Sequence, residues 1–136
     1  MIDITHVMKD AGLVAASAAG QVDSEDKIVD VGAGLVEGQL VIDCTAIEID
    51  SNNELYQISL QGCASVGFTN TFTDLVVLEL GANEVGGGDV DSETGRYKVP
   101  FKNEKNGVIY PFLREYCSCS GSISSGINFS CYLAKH

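Results

Sequence analysis

Two stretches of strict alternation limit what this chain can fold into. In residues 55–62 (LYQISLQG), Tyr56, Ile58 and Leu60 alternate with Gln57, Ser59 and Gln61. In residues 127–134 (INFSCYLA), Ile127, Phe129, Cys131 and Leu133 alternate with Asn128, Ser130 and Tyr132. A period of two gives a strand one dry and one wet face, and a helix makes no use of it. A strand of this kind belongs to a sheet covered on one side and open on the other, the usual situation of antiparallel sheets. The 15 glycines, set against 2 prolines, fall between short apolar stretches, where turns need residues that bend the backbone.

Further strand-like stretches lie at residues 27–31, 40–49, 74–80, 96–101 and 108–117, with a weaker one at 120–124. About eight strands at this spacing predict an all-β fold, an antiparallel two-sheet sandwich. Within 40–49 the apolar phase slips from Leu40, Ile42 and Cys44 to Ile47 and Ile49, which a β-bulge near Thr45 or Ala46 explains. Pro100 and Pro111 interrupt strand-like stretches, so those stretches are expected on sheet edges or to stop at the proline. Residues 51–53, 86–88 and 103–107 (NEKNG) read as turns.

The first 26 residues follow neither period, and residues 1–26 are expected to form an extended N-terminal arm ahead of one sandwich domain at 27–136. A length of 136 residues leaves room for one core. The alanine-rich run at 11–19 is not expected to be a secretion signal, because Asp3 and Asp10 stand where positive charge belongs. Five cysteines, an odd number, are expected to be free thiols in a reducing compartment. Eight Lys and Arg against 19 Asp and Glu give a formal charge of −11, which repels phosphate backbones and argues against nucleic acid as a partner. The longest aliphatic run, residues 75–78, is far short of the ~18 residues of a membrane span.

No constellation in the sequence specifies catalysis, a cofactor or a metal. Gly32, Gly34 and Gly38 follow a strand but have the wrong spacing for a dinucleotide loop, and another strand comes next. Cys117, Cys119, Cys131 and His136 could be drawn as a zinc site, yet C-x-C in a strand points both thiols the same way instead of forming a knuckle. Asp89, Asp91 and Glu93 alternate as in calcium loops but lack the glycine such loops require, and read as a solvated acidic loop. His6 and His136 sit near the two ends, away from any nucleophile, and Glu48 and Asp50 read as a solvated strand face. Tyr110, Phe112 and Tyr116, with Arg114 among them, could form a stacking platform; packing is the expected role.

As a whole the chain resembles the jelly-roll capsid cement (decoration) proteins of tailed bacteriophages. The resemblance runs from the opening MID through IVDVGAG, LVIDCTAIEIDSNNELYQISLQG and VLELG to GRYKVPF, NGVIYPFLREYCSCSGS and INFSCYLA. It implies a jelly roll, no enzymatic activity, and assembly in the host cytoplasm as a homodimer or homotrimer. It further implies binding to the major capsid protein on the outer surface of the virion, between capsomers. Contacts with the shell or between copies are expected at Ile2, Ile4, Pro100, Tyr110, Pro111 and Arg114. The rival reading is a carbohydrate-binding jelly-roll module of a phage tail or bacterial surface.

Overall fold

The computed structural model describes residues 2–22, 25–32, 34–48, 54–64, 72–81, 94–121, 123–124 and 126–135, with the backbone alone for residues 2–6, 26, 81 and 135. The chain opens on β1 (Ile2–Val14) and passes through the short β2 (Ala18–Ala19), β3 (Gln21–Val22), β4 (Glu25–Asp26) and β5 (Val29–Asp30). Four long strands follow: β6 (Glu37–Ile47), β7 (Leu55–Cys63), β8 (Phe72–Gly81) and β9 (Gly95–Lys102). A small hairpin of β10 (Glu104–Lys105) and β11 (Val108–Ile109) leads to β12 (Phe112–Ser120) and β13 (Ile127–Lys135).

Two antiparallel sheets carry the fold. The first has the order β1-β13-β6-β9; in the second, β12 lies between β7 and the short β2 and β5, and β8 flanks β7. The pairings are nested. β7 pairs with β8, β6 with β9, β5 and β2 with β12, and β1 with β13, so the chain is one long hairpin whose tip joins β7 to β8. The contacts of β13 with β6 and of β12 with β7 bend that hairpin into two sheets.

The alternating stretches behave as their pattern requires. Tyr56, Ile58 and Leu60 of β7 and Ile127, Phe129, Cys131 and Leu133 of β13 all face the layer between the sheets, with Leu40, Ile42, Leu80 and Leu113. The bulge expected near Thr45 is present: Phe129 pairs with Cys44 but Asn128 with Ala46, leaving Thr45 as the extra residue. Pro100 lies on β9, an edge strand, the place in a sheet that tolerates proline. Pro111 falls between β11 and β12 and divides the expected 108–117 strand. In the NEKNG turn, Asn106 (φ 54°) and Gly107 (φ 81°) join Lys105 to its partner Val108, the two positive φ values of a type I′ hairpin.

The described residues of 1–26 do not stand off as an arm. β1 is the edge strand of the first sheet, and β2 pairs with β12. Met8 is fully buried and Lys9 is 7% exposed. The register of β1 on β13 shifts between Ile2 and Val7, between Val7 and Lys9, and between Lys9 and Gly12. Each shift changes which face the following residues take, so no period survives in the sequence. Among the described residues of 120–124, none beyond Ser120 is in a strand. Glu48 organises this turn: its carboxylate accepts hydrogen bonds from Ser124 N (2.9 Å), Ser124 Oγ (3.2 Å) and Gly126 N (2.8 Å).

Candidate functional site: the outer face of the second sheet

β12 divides its side chains cleanly. Leu113, Glu115 and Cys117 are buried between the sheets, while Phe112, Arg114, Tyr116 and Ser118 are half-buried on the outside. The register fixes their neighbours. Phe112, Arg114, Tyr116 and Ser118 stand opposite Cys63, Gln61, Ser59 and Gln57 of β7, which in turn face Phe72, Asp74, Val77 and Glu79 of β8. The outer face is therefore a grid of aromatic, amide, hydroxyl and carboxylate groups.

Arg114 is its centre. Its guanidinium carbon lies 4.8 Å from the ring centre of Phe72 and 5.6 Å from that of Tyr116. Arg114 Nε donates to Gln61 Oε1 at 2.8 Å, and Gln61 Nε2 donates to Asp74 Oδ1 at 3.0 Å. These cation–π and charge-assisted contacts hold a planar cation flat on the sheet. They also explain why Gln61 is 7% exposed although it points outward: the side chains of the flanking strands roof it over. Phe72 and Val77, each 44% exposed, leave apolar surface beside this polar chain. An ordered arginine among aromatic rings is the composition that dominates protein contacts energetically.

The residues singled out in the sequence are spread over several elements. Arg114, Phe112 and Tyr116 share the outer face. Tyr110 belongs elsewhere: its Cβ lies 2.8 Å from where a Cβ on Gly62 would stand, and Asn103 holds its backbone through Tyr110 N to Asn103 O and Asn103 Nδ2 to Tyr110 O. Pro111 is half-buried and accepts Val31 N, whereas Pro100 is exposed on the β9 edge. Ile2 and Ile4 lie in β1, but their side chains, like that of His6, are outside the described residues; so are Asp50, Asp89, Asp91, Glu93 and His136 in full. Gln61, Asp74 and Phe72 complete the site without having been singled out. The wet face of residues 55–62 contained Gln61, but only strand register brings the other two beside it.

The opposite face of β12 is unusual in its chemistry. Glu115 is fully buried, neither carboxylate oxygen has a hydrogen-bond partner, and burial pushes its pKa up to about 8. Lys9 shares this part of the layer, its Nζ donating to Phe129 O (2.7 Å), Asp10 O (2.9 Å) and Gly12 O (3.0 Å) and standing 4.4 Å from the Phe129 ring centre. Desolvation lowers the Lys9 pKa despite the nearby Glu115. Cys117 and Cys131 lie close enough to Lys9 to influence it, and all five cysteines are free thiols. Among the described residues, no three of His, Cys, Asp and Glu gather in a metal-binding group. Compared with known proteins, the chain matches no family model and no curated protein.

Proposed function

We propose that the chain is a jelly-roll capsid cement protein, which binds the outer surface of an assembled phage shell between capsomers and stabilises it. The nested hairpin carries this reading. Pairing β1·β13, β2/β5·β12, β6·β9 and β7·β8, folded into two four-position sheets, is the order expected of a jelly roll, and the sequence resemblance to cement proteins implies that fold. The distribution of surface chemistry supports it further. The edges are poor at recruiting strands: β9 carries Pro100 with Arg96, Lys98 and Lys102, and β1 is bulged. The outer face around Arg114, Phe72 and Tyr116 offers the better contact surface, and many copies on one shell make a modest contact effective.

Co-sedimentation with intact shells and with free capsid subunits tests the proposal. The protein is expected to pellet with shells and to bind free subunits weakly. Arg114→Ala is expected to reduce shell binding by more than about tenfold, equivalent to ~1.4 kcal/mol, while leaving the far-ultraviolet circular dichroism spectrum unchanged. Binding to a glycan array together with indifference to shells would replace this reading with the carbohydrate-binding one.

A further inference from the structure

Cys117 and Cys119 sit two residues apart on β12, and their sulfurs are 3.9 Å apart. Cys117 is almost wholly buried and Cys119 is half-buried, so the pair spans from the core to a point that solvent reaches. β12 is paired with β7 through this stretch, Cys117 with Ile58 and Cys119 with Tyr56, and Ser17 Oγ accepts a hydrogen bond from Cys119 N.

We propose that Cys117 and Cys119 form a binding site for a single thiophilic cation of the Cu(I) class.

The spacing favours a bridging ion over a disulfide. Residues two apart on a strand are separated by roughly 6.6 Å along it, near the upper limit of about 6.8 Å for disulfide-linked Cα atoms, so closing the sulfurs to about 2.05 Å would contract a strand that β7 holds extended. An ion needs no such contraction. With a metal–sulfur bond of about 2.3 Å, as for zinc, two sulfurs 3.9 Å apart subtend a wide angle at the metal, and soft thiolates select soft ions. Among the described residues no three of His, Cys, Asp and Glu gather in one metal-binding group, which suits a cation content with low coordination.

The surroundings supply the charge balance. On binding, each thiol loses its proton to solvent, two sulfur–metal bonds form, and solvent ligands leave the ion; no electron is transferred. The product, one monovalent cation on two thiolates, carries a net negative charge. Lys9, whose ammonium feels Cys117, lies in the same layer to offset it.

The test is anaerobic titration of the full chain with Cu(I), supplied as its acetonitrile complex, read by thiolate-to-copper charge-transfer absorbance and by competition with a bicinchoninate chelator. One ion per chain is expected. Cys119→Ser is expected to weaken binding by more than about a hundredfold, beyond what losing an outer-shell partner costs, and Cys117→Ser to do the same. Cys63→Ser, altering a thiol on the outer face of β7, is expected to leave binding unchanged. Because Cys119 is half-buried, its serine variant keeps the test valid if Cys117→Ser misfolds. Unchanged binding in Cys119→Ser, equal loss in Cys63→Ser, or a mass decrease of about 2 Da from a disulfide in place of bound copper would each overturn the proposal.

Discussion

The layer between the two sheets has two unlike sides. Between β6 and β7–β8 it is mainly aliphatic, with Leu40, Ile42, Ile58, Leu60 and Leu80 filling it beside Cys44 and Tyr56, and with Val76 and Leu78 packed against them. Between β1, β13 and β12 it holds a lysine, an unpartnered carboxyl group and the thiols of Cys117 and Cys131. The first side is what alternation in sequence leads one to expect. The second has the same burial but a different energy source: burying Glu115 costs free energy that the remaining packing must offset, and the size of that cost depends on pH. One side therefore supplies stability that solution conditions hardly change, and the other makes stability conditional.

Hollowing the aliphatic side has the largest expected effect. Ile58→Ala is expected to lose about 2–5 kcal/mol of unfolding free energy at any pH, seen in urea titration as a lower midpoint with an unchanged slope. On the other side the effect should follow pH. The Glu115 carboxyl has its pKa raised from 4.5 to about 8 in the folded chain, so between those values the native state binds more protons than the unfolded one. Its contribution is fully present below about pH 4.5 and is lost as pH rises through about 8, a change on the order of 5 kcal/mol. Lys9, with its pKa lowered, gives a trend of opposite sign at higher pH. Glu115→Gln is expected to flatten the decline up to pH 8, measured by denaturant midpoints across pH; a wild-type curve as flat as the variant's would show that both sides behave alike. The smallest effect is expected at the seam. A Cβ on Gly20 would stand 2.6 Å from Met8 O and 2.7 Å from Glu115 Oε2, so Gly20→Ala should cost about 1–3 kcal/mol, visible as a lower thermal midpoint.

The same comparison explains how much could be read in advance. The aliphatic side was legible because β7 and β13 keep an unbroken period of two, and the bulge at Thr45 announced itself as a change of phase. β1 was not legible. Its three register shifts scramble the pattern, and Lys9 counts as polar in any sequence window although its amine finds three carbonyl acceptors and an aromatic face inside. Glu115 was hidden for a related reason: in Arg114–Glu115–Tyr116 the charged pair suggests solvent on both sides, whereas the pleat sends one residue to each face. The outer site was half legible. Arg114 and Tyr116 are neighbours on one strand, but Phe72 and Asp74 reach them only through two strand pairings that no local pattern encodes.

The nested hairpin also sets a schedule for synthesis. The pair Val7↔Tyr132 joins positions 125 residues apart (132 − 7), and at about 5–20 residues per second β1 emerges roughly 6–25 s before its partner β13 exists. The tip pair, β7 with β8, forms from neighbouring sequence, and the outer rungs follow in order of increasing separation, the arrangement that makes folding slow. During that wait the 13 residues of β1 have no β13 to pair with. Its bulges and its lysine, which look like imperfections in the finished sheet, make it a poor template for a neighbour's strand. The irregularity that hid β1 in the sequence thus guards the chain while it is being made.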